Sequence, residues 1–394
     1  MKVCFLMTSD KPVPAIRGGA IEGLVQILID EHEKSDVSDF EFTVLTIKDK
    51  RINYNNYKKT RFIFIPAIYI LGSKVYWKIV GAVRIAFGKE LLAPLPKRYE
   101  KNFVNRNKDK YDLFIEETNL DAIEKLEIDK KKIVYHLHYE GNPTKQLDLK
   151  TGHIIAISQY IALSWISATG RKKEDVSILK NCIDNKKFKK KLLEEEIQLI
   201  KENLMISEDD FVILYVGRIV EEKGVIELIN AVNKINDNVS LIIIGSSNFD
   251  VKQTTEYEKK VKIAIDESTK NIQHLGYVDN GKIYEYQALA DIQVVPSIWQ
   301  EPAGLVVLEA QAAGVPVIAS KVGGIPEFVG NESGILVKVD DKFETRLAEE
   351  IQKLLRDVKR RQHMSFKAKE YAKNYTTESY YFEFLKILKL IEGK

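Results

Sequence analysis

Residues 275 to 329 read LGYVDNGKIYEYQALADIQVVPSIWQEPAGLVVLEAQAAGVPVIASKVGGIPEFV, and this stretch decides the fold. A β-branched run, Ile292 to Val295, is followed by a loop, an alanine-rich helical segment and a second such run, Val315 to Ala319. Strand, helix and strand at that spacing form a parallel βαβ unit. Pro302 suits the first turn of a helix, so the helix is expected to begin there with the peptide N–H groups around Gly304, Leu305 and Val306 unpaired. Free N–H groups at the positive end of a helix dipole make an anion site, and Gly304 lets a diphosphate approach the backbone closely. Glu301 stands just before this helix and Glu309 about two turns inside it. The two carboxylates are therefore expected roughly 10 Å apart along the axis, about the span of a diphosphate with a sugar at each end. Carboxylates accept hydrogen bonds from sugar hydroxyls, which suggests one for a ribose and one for a hexose. Taken alone, the pair reads equally well as a helix-start acid and a solvated helix residue.

The same alternation runs outward in both directions. In the first half strands are expected at Lys2 to Met7, Phe42 to Ile47, Arg61 to Ile65, Asp112 to Ile115, Lys132 to His136, Ile154 to Ile157 and Val176 to Leu179. Val212 to Val216, Ser240 to Ile244, Ile272 to Leu275 and Gly334 to Val337 complete the second series. Helical patterns lie between most of them, clearest from Ile21 to His32, so the class is α/β with parallel sheets. At 394 residues two domains are expected. The lysine-rich helical stretch Lys186 to Asn203 puts the boundary near 185, giving domains 1–185 and 186–375. Two doubly wound domains facing each other would bracket a cleft with their strand C-terminal edges. The amphipathic segment Thr376 to Ile391 follows a helix, Lys359 to Lys373. It either closes the second domain or crosses back to pack on the first.

Composition narrows the class. With 45% apolar and 30% charged residues the chain reads as a soluble globular protein. Two cysteines, Cys4 and Cys182, give neither a disulfide framework nor a metal-ligand spacing, so a reducing cytoplasm is expected. Val3 to Met7 is too short for a signal-peptide core. Tyr69 to Gly88 is apolar but carries Lys74, Lys78 and Arg84, which an isolated spanning helix would not accept. Net charge is only +3, yet 15 Lys and Arg face three acidic residues between Lys50 and Lys110, a local excess of +12. Such a patch suits an anionic surface, and no nucleic-acid recognition motif accompanies it.

Further segments carry chemistry. Tyr215-Val216-Gly217-Arg218 runs from a strand into a loop that continues through Lys223 and Gly224. Arg and Lys aimed at a departing diphosphate stabilise its growing charge without a metal. Arg17, Gly18 and Gly19 lie between the first strand and first helix, where a flexible loop can reach a phosphate or an acceptor, though they do not form a GxGxxG. His136 and His138 follow the apolar run Ile133 to Tyr135, so at least one sits at the strand's C-terminal end, and Glu140 is the third ligand available to a metal reading. Ser158 suits a helix cap. In Gly323 to Glu327 the glycines serve a turn, with a hydroxyl contact open to Glu327.

Residues 276 to 337 resemble the donor-binding signature of the family 4 retaining glycosyltransferases, which have the GT-B fold of two Rossmann-like domains. The paired glutamates, Glu301 and Glu309, match, as does the Gly-Arg then Lys-Gly pattern around Arg218 and Lys223. The resemblance weakens over the rest of the second half and is sparse in the first. It implies metal-independent, retaining transfer from a nucleoside-diphosphate sugar, with a UDP-sugar favoured and no cofactor. Arg218 and Lys223 become diphosphate ligands, and Gly18, Gly19, Gly304, Leu305, Val306 and Glu309 donor contacts. Glu301 and one histidine at the strand end, His138 being favoured over His136, border the reaction centre. Asn181 falls at the family's hinge asparagine, but Cys182 stands where a glycine is usual. The acceptor is expected to be a glycan or a lipid-linked saccharide, brought by peripheral contact with the inner face of the cytoplasmic membrane. A dinucleotide-dependent oxidoreductase needs a GxGxxG and a following acid that neither half has. A non-catalytic subunit of the same fold, a sugar-nucleotide epimerase and a phosphorylase stay open.

Overall fold

The computed structural model describes residues 1–393 apart from 10, 17–18, 70–94, 119–122, 124–125, 142, 186, 190–191 and 248–253. Among the described residues the chain folds into two compact units, Met1–Lys180 with Thr377–Lys394, and Asn181–Thr376.

Unit 1 is built on a parallel sheet of seven strands: β1 (Lys2–Leu6), β2 (Glu41–Thr46), β3 (Thr60–Phe64), β4 (Leu113–Glu116), β5 (Ile133–Leu137), β6 (His153–Ala156) and β7 (Val176–Ile178). Their order is β3-β2-β1-β4-β5-β6-β7, so the direction of strand addition reverses between β1 and β4. Unit 2 repeats the plan with β8 (Phe211–Val216), β9 (Val239–Ile244), β10 (Asn271–His274), β11 (Ile292–Val295), β12 (Val317–Ser320) and β13 (Gly334–Val337), in the order β10-β9-β8-β11-β12-β13. There the reversal lies between β8 and β11. Ligands of doubly wound sheets bind outside the strand carboxyl ends at such points.

The central strands are apolar throughout because helices cover both faces of a parallel sheet. Every residue of β9 is buried, and all of β8 but Val216. The helix Phe343–Arg356 turns Leu347, Ile351 and Leu354 into the unit 2 core at helical spacing. In unit 1 the helix Gln159–Thr169 starts where Ser158 Oγ accepts from the Ile161 amide at 3.2 Å, and ends at Gly170 with φ 75°.

The expected strands fall within two residues of the observed ones. The largest shift is β12, expected from Val315: Pro316 has no N–H to offer the ladder, so pairing starts at Val317. The boundary moves too. Ile183 donates its amide to Tyr375 O at 2.9 Å and bridges Thr376, which ties it into unit 2, so the crossing precedes it at Lys180–Asn181.

The C-terminal helix Thr377–Glu392 packs on the first helix, Ala20–Lys34. Phe384 lays its ring 5.8 Å from Phe5 and 6.1 Å from Phe42, and Tyr381 Oη lies 2.9 Å from His32 Nδ1. Fully buried aromatics of this kind each contribute about 1.5–3 kcal/mol, so the helix completes the unit 1 core. The amphipathic stretch expected from Tyr69 to Gly88 lies, beyond Tyr69, outside the described residues. Among the described residues no helix is long and apolar enough to cross a membrane.

Candidate active site

The unit 2 site forms where three loops interlock by backbone contacts that only glycine permits. The loop after β8 meets the end of β9 at Gly245, φ 141°, where a Cβ would stand 1.7 Å from Gly217 O. It meets the end of β11 at Gly224, φ 68°, where a Cβ would stand 2.0 Å from Pro296 O. The Ile298 amide also donates to Glu222 O at 3.0 Å, and Tyr215 Oη donates to Arg218 O at 2.8 Å, fixing the turn that carries the arginine.

This interlock brings Lys223 to Glu301, and Lys223 Nζ donates to Glu301 Oε1. Ser297, itself buried, donates its hydroxyl to the same oxygen at 2.6 Å. The backbone of Glu301 is held from the other side. The Gly324 amide donates to Glu301 O at 2.7 Å, and the Gly323 amide to Gln300 Oε1 at 2.7 Å. Gly323 has φ 52°, and a Cβ there would come within 2.2 Å of Glu301 O. The Gly323–Glu327 turn therefore also seats a site residue, which its sequence alone did not indicate.

The helix after this loop begins later than expected. It runs Leu305–Ala313 with Gly304 as its N-cap, so residues 302–304 are not helical and Glu309 lies about one turn inside. The reason is a contact with a distant segment: Glu301 and Gln300 are bonded to the Gly323–Gly324 turn rather than wound into the helix. The expected 10 Å separation along a helix axis does not apply. Leu305 and Val306 now occupy the first turn, where amides have no intrahelical acceptor.

A cavity of about 370 Å³ opens at the carboxyl ends of β8 and β11. Arg218, Lys223, Glu301, Gly304, Leu305, Val306 and Glu309 all line it. Arg218 is exposed there. Glu309 is half-buried, and the loss of solvent around its carboxyl pushes its pKa up to about 7, against the opposing pull of Lys187. Tyr277, Val278 and Ser297 line the cavity as well and were not anticipated. The signal for the first two was Gly276, whose φ of 66° turns the chain after β10.

In unit 1 the corresponding strand ends carry a different group. Gly19, φ 115°, caps the helix Ala20–Lys34, and a Cβ there would lie 2.1 Å from Glu22 Oε2. Arg17 and Gly18 lie outside the described residues. Glu117 follows β4 and is fully buried, with Oε2 2.7 Å from His138 Nε2 and 3.0 Å from His136 Nδ1. Burial alone would raise the Glu117 pKa, but the two imidazoles beside it hold it down to about 2. Burial, with His136 alongside, lowers His138 to about 4 despite the carboxylate.

Glu140 is not the third member of this cluster. It accepts from Tyr160 Oη at 3.2 Å and Ser164 Oγ at 2.9 Å on the neighbouring helix. The three converging side chains, Glu117, His136 and His138, offer ligand atoms within 4.8 Å of one another. Sequence reading missed Glu117. The signal was an acid closing the apolar strand Leu113–Glu116, where a buried charge needs a partner.

Two doubly wound units, the second with a cavity at its switch point, have the GT-B fold, and the comparisons agree. The pattern of the glycosyl transferases group 1 family matches residues 196–371 of the chain. It is similar to an uncharacterized glycosyltransferase, MJ1607, of Methanocaldococcus jannaschii, 29% identical over 41% of this chain and 40% of that protein. The lipopolysaccharide 1,2-N-acetylglucosaminetransferase of Salmonella typhimurium is 28% identical over 50% of this chain and 51% of its own length. The chain thus spans about half or less of these curated relatives. Among solved structures, Anabaena Alr3699/HepE in complex with UDP-glucose superimposes with a TM-score of 0.70 over 99% of both chains, at 21% identity. That likeness establishes the fold.

Proposed function

We propose that this protein is a retaining glycosyltransferase. It moves a hexose or N-acetylhexosamine from a nucleoside-diphosphate sugar, UDP being the favoured nucleotide, to a hydroxyl of a glycan acceptor in surface polysaccharide or glycoconjugate synthesis. The observation that carries the reading is the convergence on one cavity of two cations, Arg218 and Lys223, a helix start at Leu305 and Val306, and two carboxylates, Glu301 and Glu309. The relatives named as glycosyltransferases and the neighbour solved with UDP-glucose support it.

In this reading the diphosphate lies against Arg218, Lys223 and the amides of the first helical turn, with Glu309 toward the ribose and Glu301 toward the transferred sugar. As the bond from the anomeric carbon to the diphosphate oxygen breaks, its electron pair leaves with the nucleotide, and the cations hold the added charge. The acceptor oxygen bonds to the same carbon on the same face, and its proton passes to a leaving phosphate oxygen. No metal is required, since Arg218 and Lys223 supply the positive charge. His138, at the end of β5, is assigned to substrate hydroxyls in unit 1.

Radiolabelled UDP- and GDP-sugars, offered with and without lipid-linked or soluble saccharides, test this. Expected is transfer with the donor's anomeric configuration kept. An inverted product, or epimerised donor with no transfer, would replace the proposal with an inverting transferase or an epimerase. Nucleotide binding without turnover of any sugar would point to a non-catalytic subunit.

A further inference from the structure

We propose that Glu117 is a positioning residue that locks His138 in the Nε2–H tautomer, so that the Nδ1 lone pair is what His138 offers to a substrate hydroxyl. The inference deepens the transferase reading, because the group addressed is a hydroxyl of a sugar or acceptor.

The argument starts from burial. Glu117 has no exposure, and among the described residues its ion-pair partners are His136 and His138. An ionised carboxylate only accepts hydrogen bonds. His138 Nε2 meets Glu117 Oε2 at 2.7 Å in hydrogen-bond geometry, whereas His136 Nδ1, 3.0 Å from the same oxygen, does not reach that geometry. A lone pair of His138 at that distance would set one acceptor against another in a place water does not reach, leaving a buried charge without a donor. The nitrogen of His138 that faces Glu117, Nε2, is therefore the protonated one.

A neutral imidazole has one N–H. With that hydrogen given to Glu117, His138 keeps only a lone pair at Nδ1. His138 follows β5 directly, its side chain keeps 6% of its surface exposed, and the next residue, Tyr139, is 42% exposed. The His136 ring, 4.1 Å from that of His138 between centroids, backs the imidazole from inside the strand. His138 is also held uncharged at neutral pH by its burial and by His136, which agrees with one N–H on the ring.

Glu117 therefore acts through His138 without touching substrate. Its removal frees the imidazole to turn or to exchange tautomers, and a hydroxyl then meets an N–H in place of a lone pair. The three side chains could instead gather a cation, as their converging ligand atoms allow. The 2.7 Å spacing between His138 Nε2 and Glu117 Oε2 is that of a direct charge-assisted hydrogen bond and favours the proton.

Long-range proton–nitrogen correlation spectra of the full chain, labelled with 15N at histidine, read the tautomer without any activity assay. His138 is assigned by the signal lost in His138→Gln. Expected at pH 7 is a protonated Nε2 and a lone-pair Nδ1 on His138. A protonated Nδ1, or a doubly protonated ring, overturns the inference. In Glu117→Gln the bias should relax toward a mixture, and transfer should slow roughly tenfold to a hundredfold, the weight of one charge-assisted hydrogen bond. Affinity for free UDP, assigned to unit 2, should change less than about twofold, within the scatter of distant independent sites. Wild-type transfer rates in Glu117→Gln overturn the inference. So does a titration with zinc alone that binds one equivalent to the wild type and none to Glu117→Gln. If the variant does not fold, the wild-type spectrum decides alone. If the wild type transfers no sugar at all, the proposed function fails while the tautomer reading stands or falls on its own spectrum.

Discussion

Lys223 and Glu301, 78 positions apart, share one bond: the lysine ammonium donates to the glutamate oxygen that also takes the Ser297 hydroxyl. Two residues expected to touch different parts of a donor are thus bonded to each other. In the proposed reading a diphosphate draws Lys223 at least partly from Glu301, and the freed carboxylate oxygen turns to a sugar hydroxyl, so the two contacts are coupled through this pair.

Lys223→Ala and Glu301→Gln should therefore be non-additive. Each alone is expected to slow turnover about tenfold to a hundredfold, the worth of one charge-assisted hydrogen bond, and Arg218→Ala should do the same. The double variant of the pair should fall short of the product of the two by a coupling of about 0.5–3 kcal/mol, whereas Arg218→Ala with Glu301→Gln should come closer to additivity. Steady-state kinetics on the purified variants check this. Strict additivity at the Lys223–Glu301 pair would mean the bond is absent in solution.

Glu309→Gln should mainly weaken nucleotide binding, and Glu301→Gln should mainly slow transfer of the sugar. Calorimetric titration with UDP or GDP decides the polarity: greater weakening by Glu301→Gln reverses the placement of the donor.

The raised pKa of Glu309 also gives a pH signature. Because its folded value, about 7, exceeds that of an exposed glutamate, its contribution to stability is fully present below about 4.3 and is lost as pH rises through 7. Glu309→Gln removes that loss. Its melting temperature should match the wild type near pH 4.5 and exceed it at pH 8, and equal melting curves at both pH values would show that the carboxyl titrates as if exposed.

Two glycines separate strain from space. Gly323→Ala forces a side chain into a φ of 52° and against the Glu301 carbonyl, so it should cost roughly 1–3 kcal/mol and lower transfer as well. Gly23→Ala, within the helix Ala20–Lys34 and with nothing within 4 Å of the new carbon, should stabilise by about 0.5–1 kcal/mol and leave transfer intact. Thermal unfolding of both is the measurement. A neutral Gly323→Ala would mean that the turn does not hold Glu301.

The basic excess between Lys50 and Lys110 predicts sedimentation with vesicles that rises with anionic lipid and falls at high salt, each basic residue adding on the order of 1 kcal/mol. Equal, negligible binding to anionic and neutral vesicles at low salt would remove the membrane proposal and leave the transferase reading untouched.

The strands were legible because period and β-branching are local properties. Ile292–Val295 and Gly334–Val337 fall where the sequence put them. The cavity residues were legible because Glu301, Arg218 and Lys223 belong to patterned strand-end segments and Glu309 to the helix that follows one. What escaped depends on contacts between distant segments. The helix at Leu305 starts late because Gly324 holds Glu301, 23 positions before it. Glu117 and His138 meet only because β4 and β5 are neighbours, and no spacing along the chain announces a pair 21 positions apart.

The C-terminal helix has a consequence for the order of synthesis. Residues 181–376 are contiguous, so unit 2 has all of its chain once Thr376 has been made. Unit 1 does not: Phe5, Phe42 and His32, made before unit 2, are covered by Phe384 and Tyr381, made after it. The half that is begun first is completed last. Until the helix Thr377–Glu392 has been made and docks, the nascent chain carries an unfinished apolar face on unit 1, and any holding factor that binds such surfaces has a substrate there.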